Sequence, residues 1–389
     1  MLVIENGLIL FGEELEPLKA SVVIEEEQIT DITTSKVHKG KKIDASGLII
    51  APALVNSHIH LGDSVAKDLG DGKDIADIVK PPNGLKHKIL AETSSEDIIG
   101  SMRESIIEMI STGTTTFIDF REGGLEGINL IEEASEDLPI RKIVLGRDAS
   151  FIENINSPKF LREIVIKLLK YCDGIAPSGL GEISNEAASI ITEECRKQGK
   201  ISAIHVAEYE ELQQNSINEY GATEVARALE KGFNLLVHLT EPLNDDLKLL
   251  SSSNSSVVCC PRSNGALNVG IPPIKEMHNY GINLLLGTDN VMFNSPNMLH
   301  EMEYSLKVTR GYYKQYFSPE EILKMATVNA GKAVDMNIGY LKEGMVADLI
   351  MIKHKSFNPI LSIINRTNKD DIKFVIIEGD IVIGNNIII

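Results

Sequence analysis

The chain runs to 389 residues, 43% of them hydrophobic, which is enough for a large buried core and more than one domain. A formal net charge of −18 argues against sequence-independent binding to nucleic acid, which depends on Lys and Arg neutralising phosphates. No apolar stretch approaches the roughly 20 residues that span a bilayer, and the start MLVIENGLILFGEELEP lacks the basic region and cleavage site of a signal peptide, so a cytoplasmic location is expected.

In chain order, residues 1–50 read as short alternating strands punctuated by Gly, Asn and Asp turns. Apolar runs of strand length then recur at about 51–56, 114–120, 142–146, 174–177, 201–205, 234–238, 256–260 and 283–287. Between most of them lie segments with helical patterning, such as SSEDIIGSMRESIIEMIS at 94–111. Alternating strands and helices predict an α/β protein with a parallel sheet of βαβ units, and eight such units predict a (β/α)8 TIM barrel. Near its end, SPEEILKMATVNAGKAV places Ser318, Pro319 and Glu321 where a capping box would open a helix. From about 340 onward the short strands return, as in FVIIEGDIVIGNNIII. Neither terminal piece is large enough to fold alone. The expected organisation is therefore a barrel over 52–339, with 1–51 and 340–389 pairing as the two halves of a small β-sandwich.

The four cysteines, Cys172, Cys195, Cys259 and Cys260, show no C-x2-C spacing, and reduced thiols are expected. The stretch NSHIHLGDS at 56–64 carries His58 and His60. A H-x-H pair alone is a weak signal, but residues i and i+2 of a strand point to one side, so both imidazoles could meet at one centre. His205 in ISAIHVAE, His238 in NLLVHLTE and Asp289 in INLLLGTDN also stand at the C-terminal ends of apolar runs, where barrel enzymes keep their chemistry. Four His and one Asp on the first, fifth, sixth and eighth runs point to a metal centre rather than to packing. Glu208, three residues after His205, can reach the same centre; the bland alternative is a solvated Glu in the acidic run EYEEL. Competing motifs fail: HEMEY at 300–304 lacks the second His of H-E-x-x-H, CCPR is not P-C-x-x-C, and no Walker A loop or G-x-G-x-x-G is present.

With IDASGLIIAPALVNSHIH at the entry to the barrel, CPRSN at 260–264 and GYLKEGMVADLIMI at its exit, the chain resembles the amidohydrolase superfamily, in the branch of cytosine deaminase, guanine deaminase, S-adenosylhomocysteine deaminase and the triazine hydrolases. The resemblance implies that His58, His60, His205 and Asp289 ligate one divalent metal, zinc with iron as the alternative, and that His238 bonds to the metal-bound water. It implies a hydrolase of carbon–nitrogen bonds, a deaminase that releases ammonia from a nucleobase-like heterocycle by metal-hydroxide attack. Glu208 would move the proton, with His238 and Asp289 orienting the hydroxide. The H-x-x-E spacing separates this branch from ring-opening relatives. CDGIAPSGLGE, at the fourth strand, lacks the lysine of binuclear members and predicts a mononuclear site. Hydrolysis of another C–N or a C–Cl bond on a similar ring is the alternative, and a non-catalytic binding protein the third reading. Candidate substrate contacts are Arg121, Arg147, His87 and Asn264, and the two arginines hint at an anionic or carbonyl-rich substrate. The long loop at 61–94, containing KPPNGLKHK, is expected to be a lid. The chain has no Trp, unlike nucleoside-deaminating relatives, which puts a nucleoside such as S-adenosylhomocysteine in doubt. The expected partner is a small heterocycle, with no nucleic acid and no membrane; homo-oligomerisation is left open.

Overall fold

The structure is a computed structural model that describes residues 1–79, 84–152, 157–243, 245–384 and 387–388. Its largest sheet has nine strand segments, and all its pairings are parallel. In sheet order from one end these are Asn283–Leu286, Ser256–Cys259, Leu235–His238, Ile201–Val206, Gly174–Ile175, Arg141–Gly146, Thr114–Arg121, Leu54–His60 and Asp289–Asn290. The two ends, Asn283–Leu286 and Asp289–Asn290, belong to one stretch of chain, interrupted only by Gly287 and Thr288. Asn56 clasps the join: its Nδ2 donates to Thr288 Oγ1 at 2.7 Å and its Oδ1 accepts from Thr288 N at 3.0 Å.

Gly287 is required there by space. A Cβ on it would stand 2.7 Å from His58 Cβ and 2.8 Å from His58 N, so only a glycine lets the stretch lie against the first strand. The helix Ser95–Ser111 begins as its sequence predicts, with Ser94 Oγ accepting from Asp97 N, and it buries Ile98, Met102, Ile106 and Met109 at helical spacing. Ser318 also caps its helix, but the bond comes from Glu320 N. The expected box partner Glu321 instead faces His278 and Lys324.

The chain ends build two further sheets. One has four strands in the order Gln28–Thr33, Ser21–Glu25, Leu2–Glu5, Lys41–Asp44. The other has seven and joins Leu48–Pro52 antiparallel to Leu349–Lys353, so residues from both ends share it. One apolar cluster, with Ile4, Ile9, Ile24, Ile29, Ile50, Leu349 and Ile376, draws on both sheets. The apolar run expected at 51–56 is in fact divided between two sheets. Leu48–Pro52 ends in the seven-stranded sheet, and Leu54–His60 begins in the large one. Pro52, with no N–H to give a ladder, sits at the last residue of its strand. The four cysteines are buried and unbridged. No helix among the described residues is long and apolar enough to cross a membrane.

Candidate active site

The C-terminal ends of the parallel strands gather His58, His60, His205, His238 and Asp289. His58 and His60 come from Leu54–His60, whose residues are all buried, with ring centroids 4.8 Å apart. His205, from Ile201–Val206, lies 5.0 Å from His58 and 5.6 Å from His60 by the same measure, and His238 lies 5.4 Å from His205. Asp289 Oδ1 is 2.9 Å from His58 Nε2 and 3.6 Å from His60 Nε2. His238 and Asp289 hold left-handed backbone conformations, φ 78° and 58°, as does Ala207 at 51°. Such conformations, at about 1–3 kcal/mol each, persist where the surroundings over-determine them.

Neighbouring groups set the tautomers. His60 Nδ1 faces Phe120 O at 3.2 Å and His205 Nδ1 faces Ser178 O at 2.7 Å; a carbonyl only accepts, so each Nδ1 carries the proton and each Nε2 offers a lone pair. Asn264 Nδ2 donates to His238 Nδ1 at 3.1 Å, which leaves the proton of that ring on Nε2, 3.5 Å from Glu208 Oε1. Ser263 Oγ donates to Asp289 Oδ2. Burial lowers the pKa of His58 and His238, and it takes His60 and His205 well below the usual histidine value; the Lys86 ammonium adds to the shift of His60. Burial alone would raise Asp289, but the hydrogen bond with His58 holds it well below the usual range.

Neutral imidazoles beside an ionised carboxylate are the protonation states a divalent cation requires of its ligands. Two sets, His58 with His60 and His205, and His58 with His238 and Asp289, keep their ligand atoms within 4.8 Å of one another. His58 Nδ1 is buried without a hydrogen-bond partner. These residues fit a metal ion. A third group, His60, Asp63 and Glu122, is spaced for one as well, but Lys86 Nζ already lies 3.0 Å from Asp63 Oδ2 and 2.7 Å from Glu122 Oε1.

A cavity of about 610 Å³ opens onto the centre, lined by His60, His205, Glu208, His238 and Asp289. Glu208 keeps 13% of its side chain exposed. Burial, with the negative charge of Asp289 and Glu182, pushes its pKa up to about 8, while Lys86 pulls it down. A carboxyl tuned toward neutrality beside an imidazole N–H can hold and release a proton at ordinary pH.

The four residues expected as substrate contacts separate here. Arg147 lines the cavity, its guanidinium against Ser178 Oγ and 3.2 Å from Glu122 Oε1. Arg121 lies outside the lining: it pairs with Glu122 at 2.8 Å and Asp119 at 3.6 Å and packs under Gly62. His87 turns its Nε2 to Val79 O at 3.0 Å, and burial takes its pKa down to about 4. Asn264 is fully buried, and its Nδ2 bonds to His238. Of the expected lid, Leu61–Ala66, Ile75–Val79 and Leu85–Glu92 are helical, Val79 and Lys86 reach the cavity, and residues 80–83 lie outside the described residues. Lys86, Asp63 and Glu122 were missed by sequence reasoning. The one signal for Lys86 was its place beside His87 in GLKHK, where adjacent helical residues face about 100° apart, so that only one of the two could turn inward.

Comparison with known proteins gives the following. The profile of the amidohydrolase family matches residues 49–382. A protein of Methanothermobacter thermautotrophicus described as "Putative aminohydrolase" is 54% identical over 98% of this chain and 99% of its own. The 5-methylthioadenosine/S-adenosylhomocysteine deaminase of Pyrococcus furiosus is 26% identical over 98% of this chain and 95% of its own. Among solved structures, the zinc complex of atrazine chlorohydrolase from Arthrobacter aurescens TC1 superposes with a TM-score of 0.87 at 18% identity, covering 100% of this chain and 96% of that one; at that identity the likeness speaks to the fold alone.

Proposed function

The chain belongs to the amidohydrolase family, and on that premise we propose that it is a metal-dependent deaminase, which hydrolyses the exocyclic C–N bond of a nucleobase-like heterocycle and releases ammonia. The closed course of the large sheet supports reading it as an eight-stranded (β/α)8 barrel over 52–339, with the two end sheets as one β-sandwich from 1–51 and 340–389. His58, His60, His205 and Asp289 would hold one divalent ion, for which zinc is the first choice since the atrazine chlorohydrolase holds it, and iron the second. Bound there, such an ion supplies Lewis acidity and brings the pKa of water from 15.7 to about 7.

The chain's own groups do the rest. Glu208 takes one proton of the attacking water to the ring nitrogen beside the carbon under attack, then carries the second proton, from the added hydroxyl, to the amine, which leaves as ammonia as the C–N bond breaks and the carbonyl forms. His238, its Nε2–H set by Asn264, points at Glu208 and steadies the oxygen being transferred. One observation carries the reading: Glu208 Oε1 stands 3.5 Å from His238 Nε2 in the same cavity that exposes His60, His205 and Asp289. The name of the Pyrococcus relative lends it support. Displacement of chloride or an alkylamine from a similar ring, for which the likeness to the atrazine chlorohydrolase speaks, would use the same residues; the released species separates the two.

Removal of metal tests the premise. A chelator should abolish turnover, and one equivalent of zinc per chain should restore it. Full activity in metal-free protein would refute the reading, and a need for two equivalents would refute the single-ion assignment.

A further inference from the structure

Between the first parallel strand and the helix Ser95–Ser111, the short helix Leu85–Glu92 turns one of its side chains into the molecule. Lys86 is the helix's buried residue, 4% exposed, and its Nζ contacts Asp63 Oδ2 at 3.0 Å and Glu122 Oε1 at 2.7 Å. Glu122 is shared with Arg121 and Arg147, and Asp119 faces Arg121. Three cations thus meet three carboxylates, so the cluster is balanced in charge. Such a cluster would suffice to pin the 61–92 segment onto the strand ends. A pin alone, however, has no reason to reach the ligand space, and Lys86 lines the cavity together with His60, His205, Glu208 and Asp289.

An ammonium carries three N–H donors and no acceptor. One is donated to Asp63 Oδ2, Glu122 Oε1 stands beside the ammonium as an ion-pair partner, and donor capacity is left for what enters the cavity. The position also suits the reaction. Attack at an amidine carbon pushes electron density into the ring, and a ring carbonyl conjugated with that carbon takes a share of it. A cation fixed beforehand by two carboxylates meets that charge without reorganising. It is also a donor matched to oxygen, the most negative acceptor such a ring can carry.

Resting on the deaminase reading, we infer that Lys86 is a specificity-determining residue: its free N–H donates to a ring oxo group, and the substrates are amino-oxo heterocycles rather than rings with nitrogen acceptors alone. Arg147, on the same Glu122, extends the cationic wall. Elsewhere the lining carries the acidic Glu182, Glu219 and Glu224, which suit hydroxyl or amine donors on the rest of the molecule, and Arg227, whose guanidinium is bonded to Ser216 Oγ and Asn185 Oδ1.

The test uses metal-replete protein and substrate pairs that differ only by the oxo group, guanine against 2-aminopurine and isoguanine against adenine, each also as its nucleoside. The wild type should favour the oxo member of a pair in kcat/KM. Lys86→Met should lower turnover of that member by roughly 10- to 100-fold, as for a lost hydrogen bond to a charged group, and leave the other member within about threefold. An equal loss on both members would make Lys86 a structural pin only, and a preference that survives in Lys86→Met would overturn the inference too. Should the single variant fail to fold, Lys86→Met/Glu122→Gln, which removes the carboxylate left beside His60, repeats the comparison. If no ring releases ammonia, the deaminase reading falls, and binding still judges Lys86. Hypoxanthine should bind the wild type at least tenfold more tightly than purine and lose that margin in Lys86→Met; equal affinities in the wild type would overturn it.

Discussion

Gly287→Ala is a one-carbon change whose effect follows directly from the closure of the large sheet. The new Cβ would lie 2.7 Å from His58 Cβ, 2.8 Å from His58 N and 2.9 Å from His58 O, whereas ordinary contact begins near 3.4 Å. The first strand or the 283–290 stretch must therefore move by about 0.7 Å, the difference between 3.4 and 2.7 Å. Neither can do so freely. Asn56 ties them together through Thr288, and His58 Nε2 is bonded to Asp289. Overpacking of this kind destabilises by roughly 1–3 kcal/mol. A shift of that size also exceeds the ~0.5 Å tolerance of a ligand set, and a displacement of about 1 Å can lower a rate by roughly 100-fold. Metal affinity by chelator competition, a melting curve and turnover on the best substrate would measure all three. Gly287→Ala should fold, melt several degrees lower, hold metal at least tenfold more weakly and turn over at least tenfold more slowly. Wild-type affinity and turnover in a folded variant would refute the close-approach argument.

Asn264→Leu removes the donor that fixes His238 while keeping side-chain volume. Its kcat should fall roughly 10- to 100-fold with KM little changed, as when an interaction that matters in the transition state is lost; an unchanged kcat would return Asn264 to a packing role. Glu301 is fully buried, and burial pushes its pKa from 4.5 to about 8, with Arg262 opposing and Asp289 adding. Between those two values the folded chain binds more protons than the unfolded one, so this group's contribution to stability is complete below about pH 4.5 and is lost as pH rises through 8. Glu301→Gln should therefore match the wild type in denaturant midpoint near pH 5 and gain on it toward pH 9, by up to about 1.4 kcal/mol per pH unit. A difference that does not change with pH contradicts the assignment.

The candidate ligand set was legible because its parts are local. Strand alternation brings His58 and His60 to one side, and a polar residue ending an apolar run stands out wherever it falls. Their convergence is a property of the parallel sheet, which any eight βαβ units predict. What stayed hidden depends on contacts between distant residues. Nothing near Lys86 says that Asp63, 23 positions away, and Glu122 await it. Arg121 shows the same limit from the other side: it ends a strand as His60 and His238 do, yet Asp119 and Glu122 claim its guanidinium. Glu301 was visible only as part of HEMEY, a motif set aside for lacking a second His, and its burial behind Arg262 could not be inferred from a helix of mixed polarity. At Pro52 one apolar run hides a change of sheet, because periodicity records burial and not the sheet in which it occurs.

The measurement that bears most directly on the account is ammonia release by metal-replete protein across aminopurines, aminopyrimidines, pterins and their nucleosides, with Glu208→Gln assayed beside the wild type and metal content determined for both. The account predicts at least one ring deaminated by the wild type. It also predicts a Glu208→Gln variant that keeps one metal per chain and loses roughly 100- to 10,000-fold in turnover. Near-normal turnover in that variant, or chloride or alkylamine as the only product released, would contradict it.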